Sequence, residues 1–370
     1  MTKLQAFLKR KNIQISAKRY GIDAMGAMAQ GLFCSLLIGT IINTVGTQFQ
    51  IDFLTRVVAT LGSGEHQISY TVGGLASAMS GPAMAIAIGY ALQAPPLVLF
   101  SLTAVGFASN ILGGAGGPLA VLFIAIIAAE VGKAVSKETK IDLLVTPLVT
   151  IFVGVGLSAW WAPAIGGAAA WVGELIRWAT VLQPFWMGIL VSVVIGIALT
   201  LPISSAAICT ALTLTGLAGG AAVAGCCANM VGFAVMSFRE NGWGGLVSQG
   251  IGTSMLQMPN IVKNPKIWLP AILTSAITGP LATCVFHLEM NDPSGGVASG
   301  MGTCGFVGQI GVYAGWVNDV ALGVKEAITA FDWAGLILIS FLLPAVLCWA
   351  FGLFFRKIGW IGEGDLTLPQ

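Results

Sequence analysis

The sequence predicts an all-α, polytopic membrane protein with about ten membrane-spanning helices, re-entrant hairpins and an internal repeat. Three observations carry this reading. Hydrophobic residues make up 56% of the chain and charged residues 9%, against about 25% charged in a soluble domain. Mean hydropathy is +0.89. Residues 66–129 and 178–238 contain no Asp, Glu, Lys or Arg, and each interval is longer than one span of about 20 residues. The apolar runs are continuous, whereas a transmembrane barrel would show short alternating segments. The 49 glycines suit close helix approach and broken helices.

The repeat is read from three matches kept in order. Gly106…Asn110…Gly113 and Gly225…Asn229…Gly232 share the pattern G-x-x-x-N-x-x-G. Each is followed by a basic turn K-x-x-K-I, at Lys137–Ile141 and Lys263–Ile267. Upstream, Pro82…Ala87-Ile88…Ala91-Leu92 recurs as Pro202…Ala207-Ile208…Ala211-Leu212. A single integral-membrane domain with repeat-like halves, 75–160 and 195–285, is expected, its solute site lying where the halves meet.

Taken in order, residues 1–23 carry Lys3, Lys9, Arg10, Lys11, Lys18 and Arg19 against Asp23. No small-residue cleavage site follows, so they read as a retained cytoplasmic head, solvated or lying on anionic lipid. Residues 24–46 are a first span, with Gly26, Gly31 and Gly39 suited to packing. Residues 51–62 are amphipathic and too short to cross. Residues 68–93 can span, but Gly81-Pro82 should kink or interrupt the helix. After the turn Ala94-Pro95-Pro96, apolar residues run to Asn110, and the glycines of Gly113–Pro118 mark a tight turn or re-entrant tip. Residues 119–134 return to the loop Lys133–Asp142.

Residues 143–165 span and end at Trp160-Trp161-Ala162-Pro163, an interfacial belt. Residues 167–181, with Glu174 and Arg177, read as a separate amphipathic helix. Residues 183–201 span, Ser204 and Ser205 cap the next helix, and two helices run to Phe238. Residues 243–258 are Gly-rich and carry Ser248, Gln249, Ser254 and Gln257, so they form a re-entrant or broken segment. Residues 267–288 span, interrupted at Gly279-Pro280, and 291–296 turn. Ser299–Gly311 holds too many glycines for an ordinary helix. Non-helical backbone at membrane depth survives only buried in protein or lining a wet cavity, so a re-entrant hairpin is expected. Residues 313–332, with Asp319, Lys325, Glu326 and Asp332, are surface helix or loop. Residues 334–355 are the last span, closed by Arg356-Lys357.

Short basic loops place the head, Lys133–Lys140, Lys263–Lys266 and Arg356-Lys357 in the cytoplasm, both termini included. Glu65, Asp292, Asp319 and Asp332 then fall mostly outside. If 243–258 crosses as 119–134 does, the second Lys loop moves outside and the repeats are inverted; charge and repeat logic leave both open. Cys34, Cys209, Cys226, Cys227, Cys284, Cys304 and Cys348 lack metal-ligand spacing and read as small buried hydrophobes. No metal and no cofactor are expected.

Ala17–Met25, Gln183–Leu190, Leu201–Ile208, Gly232–Ser237 and Gly300–Gly311 resemble the integral-membrane IIC component of the sugar phosphotransferase system. The resemblance covers nearly the whole chain and points to the subfamily that includes proteins labelled as toxin-production regulators. It implies a multi-pass permease of the cell membrane, a homodimer in the lipid bilayer moving a small polar solute, with no nucleic acid. The His/Glu sugar-site motif of glucose-type members is not found here, which leaves the substrate class open. No IIA or IIB domain is seen, so phosphorylation of the cargo would need a separate cytoplasmic IIB protein.

Polar groups at membrane depth are the candidates for binding that solute. Asn110 and Asn229 stand at matched positions beside helix-breaking glycines and would hold the solute or the broken helices around it. Glu289, beside His287, precedes the Gly-rich hairpin, and Thr303 and Gln309 lie within it, neutral polar groups suited to a hydroxylated ligand. Glu130 lies about one turn from Lys133 and reads as a snorkelling ion pair. The alternative function is a membrane sensor or regulator that binds without transport; a channel would need a ring of like charge, and none is present.

Overall fold

Lipid offers no partner for backbone N–H and C=O groups, so the charge-free stretches satisfy them within helices. The computed structural model describes residues 3–62, 67–291 and 296–368; Glu65 and Asp292 lie outside the described residues. Among these, six helices are long and apolar enough to cross: Arg19–Thr47, Pro96–Val135, Asp142–Thr180, Gly216–Met236, Pro265–Val285 and Ala330–Lys357. The pair Val72–Ala78 and Ser80–Ala91, bent by 49°, makes a seventh if it is one span, and Pro184–Thr200 is a shorter apolar helix. The protein is a polytopic helical membrane protein. Its sheet among the described residues is one hairpin, Ala59–Leu61 antiparallel to Ile68–Tyr70. The chain divides into two compact units, Met1–Gly167 and Ala168–Gln370.

In the first unit, Arg19–Thr47 packs on Ser80–Ala91, which packs in turn on Pro96–Gly113. The bend falls at Met79, just ahead of Gly81-Pro82, as the missing Pro N–H requires. Pro96–Val135 has 40 residues, about twice what a 30 Å hydrocarbon core needs. Gly114, at φ +49, folds it into a hairpin in which a Cβ on Gly113 would meet Ala120 Cβ at 3.1 Å.

The expected boundary at Pro163 is corrected. Asp142–Thr180 is one helix of 39 residues that passes through both Pro147 and Pro163. Close packing at that height outweighs the lost hydrogen bond, for a Cβ on Gly116 would stand 2.7 Å from the Ile165 carbonyl. Residues 51–62 form one helical turn, Asp52–Thr55, and the first strand.

The N-terminal head is docked rather than free in solvent. Its helix, Lys3–Arg10, is followed by a turn at Asn12, and two further chain turns, at Gln93 and Lys137, come to the same place. All three residues have positive φ, at 54°, 56° and 59°. Helix C-termini present unpaired carbonyls with partial negative charge, and cations meet them here. Lys133 Nζ donates to the Asn12 carbonyl at 2.8 Å and the Leu92 carbonyl at 3.0 Å. It also pairs with Glu130 at 2.9 Å, and its side chain is 1% exposed. Arg19 donates to the Leu92 carbonyl at 2.6 Å, Lys11 to that of Ser136, and Tyr20 to Glu130 at 3.1 Å. The Glu130–Lys133 pair therefore forms, but buried instead of snorkelling, because terminal carbonyls replace the water the ammonium would seek.

Arg10 and Lys11 both pair with Glu138 on the loop. The Lys11 hydrogen bond, first among the causes, holds the Glu138 carboxyl below the usual carboxylate range. A depressed folded-state pKa contributes docking above the unfolded value and loses it as pH falls through the folded one. The hydrogen-exchange rate over residues 5–20, taken relative to the intrinsic rate of the unstructured chain at each pH, should thus be flat from about pH 6 to 8 and rise only below about pH 4. Glu138→Gln should abolish that rise.

The second unit is built around Gly216–Met236, whose apolar window is 94% buried. Pro184–Thr200, Leu269–Pro280 and Leu343–Lys357 surround it. The approach is close enough that a Cβ on Gly225 would run into the Ser192 carbonyl. Val223, Ala224 and Cys227 of this helix share a core with Leu288, Met290, Val312, Trp316 and Ile339. Residues 313–332 are in part corrected: Val307–Ala321 is a helix with Trp316 2% and Asp319 7% exposed. Asp319 tolerates burial by accepting from Asn291 Nδ2 at 2.9 Å. Cys209, Cys226, Cys227, Cys304 and Cys348 are buried, whereas Cys34 and Cys284 are exposed, on outward helix faces where a thiol costs little.

Candidate functional site

Two stretches of the second unit leave helical geometry beside Gly216–Met236. The first, 238–263, is broken at Gly242 (φ 57) and again by the wide π-turn Ser248–Gly252, an extended Thr253 and the tight turn Ser254–Gln257. Its two ends return to one place: Asn241 donates to the Leu366 carbonyl and Asn264 to Asp365, both at 2.8 Å. It therefore dips and returns, and the Lys263–Lys266 turn stays on the face that Arg239 left. Arg356 marks that face, donating to the Met236 carbonyl at 3.4 Å and Glu240 at 2.6 Å.

The second stretch enters from the opposite end of the helix, where Gly216 and Met290 exchange backbone hydrogen bonds at 3.0 Å. It runs through the short turns Ala298–Gly300 and Cys304–Phe306 before the helix Val307–Ala321. Gly302 sits at φ +53, and a Cβ there would meet Cys226 Cβ at 2.5 Å; only glycine can make this approach. Ser205 Oγ donates to the Gly300 carbonyl at 2.7 Å, while Ser204 caps Ser205–Ala211 by accepting from Ala207 N–H.

The tips of the two stretches meet. Thr303, fully buried, donates from Oγ1 to the Gly250 carbonyl and touches Met230 sulfur at 3.6 Å. Gln309, 8% exposed, donates from Nε2 to Ser340 Oγ at 3.0 Å and Cys227 sulfur at 3.3 Å. Its Oε1 is buried with no partner. An orphaned acceptor in a packed interior is unusual and calls for an explanation.

Asn229 faces the other side of its helix, and its amide is fully engaged. Nδ2 donates to the Gly225 carbonyl at 3.0 Å and Ser275 Oγ at 3.3 Å. Oδ1 accepts from Trp268 Nε1 at 2.9 Å and Thr200 Oγ1 at 3.3 Å. Asn110, in the first unit, is half-buried and makes one long bond, from Nδ2 to Ser80 Oγ at 3.3 Å. Glu289 is half-buried beside Met290, about 20 Å along the helix from Met230 at 1.5 Å per residue. Thus Thr303 and Gln309 meet Gly216–Met236 one turn apart, at Met230 and Cys227, with Asn229 facing away from them and Glu289 at the far end. Sequence reasoning missed Ser340, the Gly250 carbonyl and Trp268. Only Trp268 carried a signal, since an indole N–H that is even half-buried usually finds an acceptor.

The family model described as phosphotransferase system, EIIC matches residues 22–368. The chain belongs to the phosphotransferase system EIIC family. No curated protein and no solved structure matches it. As an EIIC protein it is a multi-pass permease of the cell membrane for a sugar-type solute. It works with a cytoplasmic IIB component, which leaves this chain the tasks of binding, orienting and passing the solute.

Proposed function

We propose that this EIIC permease binds its sugar where the two re-entrant stretches meet, with Thr303 and Gln309 as direct contacts. The unpartnered Oε1 of Gln309 carries the reading: a sugar hydroxyl can donate to it, and neutral polar groups suit a ligand without charge. Broken backbone at membrane depth supports the same place, because it exposes carbonyls and amides only where a cavity or ligand can use them. Asn229 holds the helices around the junction. Asn110 in the first unit, with amide capacity to spare, and Glu289 in the second, without a partner among the described residues, are further candidate contacts for the solute.

The proposal includes a repeat, one copy in each unit, and a homodimer. Two matched geometries support the repeat. Gln93 and Thr213 both have positive φ, and Ala94 and Leu214 each donate back five residues, to the Gly89 and Cys209 carbonyls, at 2.9 Å. In both copies the G-x-x-x-N face meets a glycine, Gly81 against Asn110 and Gly196 against Asn229. The homodimer rests on the family resemblance.

Sugar phosphorylation by proteoliposomes charged with phosphorylated IIB tests the site. Gln309→Met should weaken apparent sugar affinity at least about tenfold, the equivalent of one hydrogen bond. Its effect on thermal stability should be small, because removing a buried unsatisfied acceptor offsets the two bonds lost from Nε2 to Ser340 and Cys227. A lower melting temperature with unchanged affinity would reject the assignment.

A further inference from the structure

The last ten described residues of the chain form neither helix nor strand, yet they are held firmly. Four amide side chains of the first re-entrant stretch, the inner one, and of the turn that follows it point at this tail. Asn241 Nδ2 donates to the Leu366 carbonyl and Asn241 Oδ1 accepts from Leu368 N–H, both at 2.8 Å. Gln257 Nε2 donates to the same Leu366 carbonyl at 2.9 Å, and Asn260 Nδ2 to that of Thr367 at 2.8 Å. Asn264 Nδ2 reaches the Trp360 carbonyl at 3.0 Å and Asp365 at 2.8 Å. Leu366 itself is 0% exposed and Ile361 3%.

The fastening continues inward. Asn260 donates to Gln257 Oε1 at 2.8 Å, Gln257 to Gln249 Oε1 at 2.9 Å, and Gln249 to Ser237 Oγ at 2.9 Å. Gln249 adjoins Gly250, the acceptor of Thr303. The tail is therefore linked through two glutamines to the tip of the stretch on which it lies. Lys263, Lys266, Arg356 and Lys357 gather at this end, which makes it cytoplasmic.

These bonds have a character that matters. They run from side chains to an irregular peptide, so no helix has to unfold for the tail to leave. The amides it would free carry donors and acceptors without charge, which water or the hydroxyls of a sugar can satisfy. Within 364–368 the apolar part of the anchor is the single buried side chain of Leu366, and the rest of the fastening is replaceable polar bonds.

We propose that residues 364–368 are a releasable strap that closes the cytoplasmic side of the inner re-entrant stretch. Its release opens a path toward the junction of Thr303 with Gly250. This rests on the junction being the solute site, but its test does not require the sugar to be known.

The test uses Thr253→Cys at the tip, in full-length protein with the exposed Cys34 and Cys284 changed to serine. Inside-out vesicles are treated with a membrane-impermeant maleimide. With the strap in place Cys labelling at 253 should be slow. Truncation after Glu363, or Leu366→Asp in the full chain, should accelerate it about tenfold or more by shifting the local opening equilibrium. Equal rates in folded truncated and full-length protein would overturn the strap. So would failure of both variants to fold, since the tail would then be a fixed brace. Faster labelling together with an unaffected Gln309→Met variant would keep the strap and reject the sugar site instead.

Discussion

Lys133→Met is expected to destabilise the protein by about 3 kcal/mol or more, the range for breaking a buried ion pair by removing one partner. Methionine matches the length of the lysine stem, so little packing is lost. What remains is the Glu130 carboxylate, 13% exposed, with only the Tyr20 hydroxyl at 3.1 Å to satisfy it. Two carbonyls, those of Asn12 and Leu92, lose their donor as well, although Arg19 still serves Leu92. Glu130→Gln should cost less, because Lys133 keeps both carbonyls. Adding Glu130→Gln to Lys133→Met should recover part of the loss, since no charge is then stranded. Denaturant unfolding of the purified protein in detergent would measure all three. A Lys133→Met variant within about 0.5 kcal/mol of the parent, the size of an ordinary surface change, would show the head to be dispensable.

The second large effect separates the paired asparagines. Asn229→Leu should cost about 2–3 kcal/mol, whereas Asn110→Leu should cost less than about 0.6 kcal/mol, the average for one interhelical hydrogen bond in a membrane. Leucine keeps the branched four-atom skeleton of asparagine at both positions, so the difference between the two variants comes mainly from hydrogen bonding. At 229 the change strands the Trp268 indole N–H and leaves Thr200 and Ser275 to find other partners. Each buried polar group left unsatisfied costs about 1–3 kcal/mol. At 110 only one long bond is lost, to a serine that can bond its own helix. Melting temperatures of the two variants give the result directly. Equal losses would mean that Asn229 is no more of a lock than its counterpart.

The break at Gly81-Pro82, the Gly113–Pro118 turn and the Gly-rich hairpin before Gln309 were all readable from residue order. Each depends on residues whose backbone preferences are local. The dip at 243–258 was readable as a broken segment, but its return was not, because the choice lay with distant groups. Asn241 and Asn264 hold the same tail from positions more than a hundred residues away in sequence. Pro163 gave a false boundary for a related reason. A proline weakens a helix by a local amount, and the packing of Ile165 against Gly116 is not local.

The site divides in the same way. Thr303 and Gln309 could be chosen as polar groups in a segment unable to form a spanning helix. Ser340 and the Gly250 carbonyl, which complete their surroundings, have no such mark.

Composition alone determined the solvent of this protein, since 9% charged residues cannot cover a water-facing surface of this size, and residue order determined where its helices break. Only the tertiary structure decided what the two identical G-x-x-x-N-x-x-G patterns do. The partners that lock Asn229 stand 29, 39 and 46 residues away, on helices brought close by glycines. Among the described residues, the Asn110 amide has a hydrogen-bond partner only in Ser80. Hydrogen bonds act over about 3 Å, so a pattern can present an amide, but the fold chooses whether anything is there to receive it.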